Sequence, residues 1–235
     1  MDKNRVITIK GIGSLDIPVD LIKIDFTLEE TNKDYKKGHE NFDNSIIELQ
    51  NIVKELGFNE TDLKTSDIKV STEYDNKKKG GRYVDVFVGY KFLTGMTLSF
   101  DLDSQKLGEV FTALSNSKAA PKIEVRFTVK DEESVKTKLL GNAAKNAKNK
   151  ATVLCEAVGT KLGKLINVNY NWRDLDLYSS TRYRRDDFDD DDDTDFLGRH
   201  ICYDRIEPLK LHKWNFTPKD IAVEDEAYFI WEITD

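Results

Sequence analysis

From Ile123 to Val129 every second residue is apolar: Ile123, Val125, Phe127 and Val129 alternate with Lys122, Glu124, Arg126, Thr128 and Lys130. Successive side chains of a strand point to opposite faces, so this segment is a strand with one covered face and one wet face. Ile22, Ile24, Phe26 and Leu28 repeat the pattern against Lys23, Asp25, Thr27 and Glu29. Ala227, Phe229, Trp231 and Ile233 repeat it against Tyr228, Ile230 and Glu232. A doubly wound parallel sheet is covered on both faces and reads as near-continuous apolar runs instead. The alternation therefore restricts the chain to an α+β class, a mainly antiparallel β-sheet with helices packed on one face.

Two long helices and one shorter helix supply that cover. Phe42, Ile46, Leu49, Val53 and Leu56 build one apolar stripe, and Gly57 is placed to stop it. Asp103 is suited to cap a shorter helix with the stripe Leu107, Val110, Phe111 and Leu114, ended by Asn116 and Pro121. Asp131 caps a third, whose first turn carries Glu132 and Glu133 against the positive end of the helix dipole. Its expected stripe is Leu140, Ala144, Ala147, Ala151, Leu154 and Val158, with small residues that permit close packing, and Gly159 and Gly163 flank its exit. The other expected strands are Val6 to Lys10, closed by a tight turn at Gly11-Ile12-Gly13; Ile68 to Tyr74, followed by a basic turn from Asn76 to Gly81; Tyr83 to Phe100, with a bulge or bend at Gly89 and Gly95; and Ile166 to Trp172, alternating with Asn167, Asn169 and Asn171. No linker separates two cores, so the expected organisation is one domain over 1–235 with an irregular acidic insert at about 173–217.

The insert holds the chain's charge imbalance. Eight of the ten residues from Asp186 to Asp195 are aspartate; without them the 43 acidic residues fall to 35, against 36 basic. A near-neutral remainder argues against a nucleic-acid partner, which a basic face would announce. Hard carboxylate oxygens suit a cation such as calcium, with Asp189, Asp191 and Asp193 the candidate ligands, but the spaced loop with a distal Glu that fixes calcium geometry is missing. The bland reading is a solvated, self-repelling loop. Tyr178, Tyr183 and Phe188 flank the tract, which leaves a protein partner at the insert as a further reading.

Other chemistry is thin. Gly11 and Gly13 lack the third glycine and the following helix of a dinucleotide site. His200, Cys202 and His212 do not reach the four spaced ligands of structural zinc, and Cys155, beside the third helix stripe, reads as a small core residue. His39 next to Glu40 reads as surface. No catalytic residue, cofactor or metal centre is expected. No apolar run is long enough to cross a membrane as a helix, and the first residues run straight into a strand pattern without a leader's apolar region. The sequence as written is expected to be cytoplasmic, with an exported mature form as the alternative.

Four stretches, taken in order and spacing, resemble the SIMPL domain family. They are VITIKGIGSLDIPVDLIKIDFTLEE, with Gly11, Gly13, Pro18 and Asp20 in the opening pattern; VGYKFLTGMTLSFDLDSQKLGEVFTAL, with Gly89-Tyr90 and Leu107-Gly108; AAKNAKNKATVLCEAVGTKLGKL, with Gly159 and Leu162-Gly163; and the closing FTPKDIAVEDEAYFIWEI. The resemblance implies a fold and no established catalytic residue. Bacterial members are mostly exported, some are linked to oxidative stress and some form ring-like or channel-like oligomers; the vertebrate namesake is a signalling adaptor that associates with a kinase. The expectation is therefore a non-enzymatic domain acting through self-assembly or partner binding, as a homo-oligomer. An uncharacterised hydrolase-like enzyme with a site near the insert, and weak cation binding through the tract, stay open. Strands with little charge invite another chain, which makes Tyr170, Trp172, Tyr228 and Trp231 the expected contact residues.

Overall fold

The computed structural model describes residues 5–79, 81–115, 117–171, 174–185 and 217–235. The aspartate tract with Asp189, Asp191 and Asp193, and also Trp172, His200, Cys202 and His212, lie outside the described residues. In chain order the elements are β1 (Val6–Ile17), β2 (Leu21–Asn32), α1 (Tyr35–Glu55), β3 (Leu63–Lys79), β4 (Arg82–Asp101), α2 (Ser104–Ser115), β5 (Lys122–Thr128), α3 (Glu132–Ala157), β6 (Lys161–Asn169), β7 (Arg182–Arg185) and β8 (Ile221–Thr234). The class is α+β with mainly antiparallel pairing. The chain divides into two compact units. The first holds Met1–Asp20, Phe127–Thr181 and Pro218–Asp235; the second holds Leu21–Arg126 and Arg182–Thr217.

The first unit carries a three-stranded sheet in the order β1-β8-β6, with α3 against it. β1 pairs with β8 over its full length, from Val6 opposite Glu232 to Ile17 opposite Ile221. Gly11 and Gly13 lie inside β1, which corrects the tight turn expected there. Their role is clearance. A Cβ on Gly11 would stand 2.1 Å from the Ala143 carbonyl oxygen, and one on Gly13 would stand 2.0 Å from that of Leu139. The helix backbone lies directly on the strand, and only a residue without a side chain fits.

That contact also selects the buried face of α3. The buried row is Val135, Leu139, Ala143, Ala147, Ala151 and Cys155, one step round from the stripe expected on hydrophobicity. Ala147 and Ala151 were placed correctly, while Leu154 and Val158 are exposed. Three alanines occupy the middle of this face, where the helix lies against β1. Asp131 caps the helix, accepting from the Ser134 amide at 2.9 Å, and Gly159 leaves it with φ +74°.

The second unit carries a five-stranded sheet in the order β3-β4-β2-β5-β7, together with α1 and α2. The helices are thus divided between two sheets, where one covered sheet was expected. Ile22, Ile24, Phe26 and Leu28 are buried, as are Leu49, Val53 and Phe42 of α1. α1 opens on Asp34, whose carboxylate accepts from the Lys37 amide, and ends at Gly57 with φ +84°. Asp103 caps α2 by accepting from the amides of Gln105 and Lys106. The Lys106 ammonium donates to the Leu56 carbonyl at the end of α1, tying the two helices together.

The turn expected from Asn76 to Gly81 is shorter than its composition suggests. β3 continues through Lys79, and Gly81, at φ +83°, is the left-handed turn residue. Bulges fall where Gly89 and Gly95 were singled out: Ser66 is extra on β3 beside Gly95, and Val88 is extra on β4 beside Gly89. β7, within the segment expected to be irregular, pairs with β5 from Arg182 opposite Arg126 to Arg185 opposite Ile123.

Candidate association surface

The two edges of the three-stranded sheet are treated differently. On β1, the outward backbone groups meet one polar row of α3. Asn146 Oδ1 accepts from the Ile12 amide at 3.1 Å, Lys150 Nζ donates to the Lys10 carbonyl at 3.3 Å, and Asn142 Nδ2 donates to the Ser14 carbonyl at 3.5 Å. Residues 142, 146 and 150 lie four apart, directly beside the buried Ala143, Ala147 and Ala151, so the helix that packs on the strand also closes its edge.

Among the described residues, no helix row covers the outer edge of β6 in this way. β6 ends the strand order, and no strand lies beyond it among the described residues. Its pairing with β8 is interrupted by irregularities between Leu162 and Leu165 and between Leu165 and Asn167. Leu165, Ile166 and Val168 are 51%, 48% and 45% exposed. These apolar side chains stand on an open edge beside the uncharged Asn167 and Asn169, with the charge of Lys161 and Lys164 confined to its first half. An open edge with exposed apolar side chains is an arrangement that another chain can pair with.

The four contact residues expected from the sequence fare differently. Tyr228 is exposed on the outer face of β8, with the Lys10 ammonium 5.9 Å from its ring centre. Tyr170 is partly buried, and its hydroxyl donates to Asp225 Oδ2 at 2.8 Å. Asp225 is itself buried on β8, where its other oxygen accepts from the Glu226 amide. Trp231 is 6% exposed and stacks on Phe229 in the core with Ile9, Ala147, Ala151 and Ala227. It therefore packs within its own chain. β8 also lies between β1 and β6, so the free edge expected of the last strand belongs to β6. The β6 strand ends at Asn169, earlier than the Trp172 expected.

A groove of about 540 Å³ runs beside β1 and α3, lined by Thr8, Ile9, Lys10, Asn149, Lys150, Val153 and Leu154. Its lining holds no His, Cys, Asp or Glu, and it is apolar at Ile9, Val153 and Leu154. His39 Nδ1 lies 2.9 Å from Asp43 Oδ2 on the exposed side of α1. The hydrogen bond and the charge between Lys54 and Glu60 raise the lysine's pKa and lower the glutamate's, and Lys136 is raised by its hydrogen bond to Glu133. All three groups sit in exposed ion pairs next to helix ends. Among the described residues no group of three or more His, Cys, Asp or Glu is placed to hold a metal ion, and no helix is long and apolar enough to cross a membrane.

The polar row of α3 was legible in principle, as Asn142, Asn146 and Lys150 at four-residue spacing beside alanines. It escapes notice because such residues usually mean only a solvated helix face. No curated protein matches the sequence. The model of the SIMPL family, described as a protein of unknown function (DUF541), matches residues 7–196. The match takes in β1 with its two glycines, both long helices and β6, and the chain belongs to the SIMPL family.

Proposed function

We propose that this SIMPL protein works by association, offering the β6 edge to another protein chain, and that it is not an enzyme. The observation that carries the reading is the contrast between the two edges of one small sheet. β1 is closed by Asn142, Asn146 and Lys150, while β6 presents Leu165, Ile166 and Val168 to solvent. A chain that spends side chains to close one edge and leaves apolar residues on the other has a use for the open one. The family resemblance supports a second copy as the occupant and a stress-linked setting for the assembly.

Light scattering of the purified chain tests this. The expected particle is larger than one 27.0 kDa chain in the micromolar range. The double variant Leu165→Lys/Val168→Lys replaces exposed side chains, so it should keep its melting temperature while losing mass at equal concentration. A wild-type particle of one chain throughout that range, with no partner retained by the wild type and lost by the variant, overturns the proposal.

A further inference from the structure

β3 is the outer strand of the five-stranded sheet, and beyond the Ser66 bulge it runs without an extra residue from Asp67 to Lys79. Its odd-numbered side chains share the wet face: Glu73 lies 3.9 Å from Lys91, which also pairs with Glu29. Its even-numbered side chains share the face of Phe92, with Ile68 opposite Thr94, Val70 opposite Phe92 and Tyr74 opposite Phe87. α1 packs on β2 and β4, and Phe92 is buried against Phe42. Ile68, Val70 and Tyr74 remain 66%, 47% and 58% exposed. An apolar strip thus follows the edge on the helix-bearing face, and charged residues follow it on the other.

We propose that this edge pairs with the same edge of a second copy, β3 against β3, antiparallel about a two-fold axis through Thr72. The charge pattern is self-complementary in that register. Lys69 faces the partner's Asp75, Asp67 faces the partner's Lys77, and Val70 faces the partner's Tyr74, each contact occurring twice by symmetry. Other registers are penalised. Sliding one copy by two residues brings Asp67 against Asp75 in one direction and Lys69 against Lys77 in the other. Sliding by one residue sets the apolar face of one copy beside the wet face of the other. Within one chain Asp75 lies 3.3 Å from Lys77, with both side chains exposed, so each can exchange its neighbour for a partner's charge. Pairing joins the two apolar strips and gives the outward amides and carbonyls of β3 a ladder.

The contact rests on the association reading and adds a second edge to it, so the test separates the two. Residues directly opposite in an antiparallel pair have Cβ atoms roughly 5 Å apart, so Thr72→Cys, in a Cys202→Ser background, should form a disulfide-linked dimer on mild oxidation. Tyr83→Cys, on β4 of the same hairpin, is the control and should not. Lys69→Glu and Asp75→Lys should each raise the dissociation constant about tenfold or more, and the double charge swap should restore it. The Leu165→Lys/Val168→Lys variant should leave the Thr72→Cys crosslink intact. No crosslink above the Tyr83→Cys control, or an unchanged dissociation constant in Lys69→Glu, overturns the β3 contact while a particle larger than one chain keeps the β6 reading. A particle of one chain at every concentration overturns both.

Discussion

Gly11 shows how much one missing side chain can organise. A methyl group there would meet the Ala143 carbonyl oxygen at 2.1 Å and the Ala147 side chain at 2.8 Å. The first neighbour is helix backbone and cannot swing away. Gly11→Ala should therefore lift α3 from β1 and cost about 3 kcal/mol or more, at the upper end of overpacking penalties. Denaturant melts check this, and a loss under ~1 kcal/mol would mean that the helix has room to move. Tyr170 poses the opposite case, a partner removed where a charge is buried. Tyr170→Phe takes one hydrogen bond from the buried Asp225 and should cost about 1–3 kcal/mol, measured the same way. A cost nearer zero would show that water replaces the hydroxyl.

At the scale of the element, α3 does two jobs with adjacent rows of side chains. Ala143, Ala147 and Ala151 let it lie on β1, and Asn142, Asn146 and Lys150 satisfy the strand's outer backbone. Asn146→Ala frees the Ile12 amide to water, so the loss of stability should stay at about 0.5–1.5 kcal/mol, the net worth of one hydrogen bond. The larger effect should be faster exchange of the Ile12 amide by hydrogen–deuterium exchange; unchanged exchange would show that the edge is closed some other way. The buried face of α3 was not legible from hydrophobicity, because Leu140, Leu154 and Val158 make the greasier stripe. It was decided by Gly11 and Gly13, more than 120 residues away in sequence. The caps were legible: Asp103 and Asp131 act on amides two or three residues on, and Gly57 and Gly159 take up left-handed backbone where the helices end.

For the whole molecule, the segment containing the aspartate tract is framed by an ordered clasp. Ser179 Oγ donates to the Lys219 carbonyl at 2.6 Å, and the Lys219 amide donates to Thr181 Oγ1 at 3.1 Å. The chain thus leaves and rejoins the first unit at touching points. Removing Asp186 to Asp195 should leave the melting temperature unchanged or slightly raised, since like charges close in sequence repel and an excursion with pinned ends tolerates shortening. A clearly lower melting temperature, in buffer freed of divalent cations, would show that the tract contributes to the fold.

What the sequence determined by itself was local. Alternation declared which side chains of β2, β5 and β8 turn inward, and single residues declared where helices begin and end, because both depend on neighbours a few positions away. Tertiary structure alone decided which strands are neighbours. β1 pairs with β8 from Val6 opposite Glu232, across almost the whole chain, and that pairing encloses the final strand and leaves β6 as the edge. A period of two says only in or out. It carries no information on what lies alongside, so the division into two sheets, the closed edge and the open one become visible only when the strands are laid side by side.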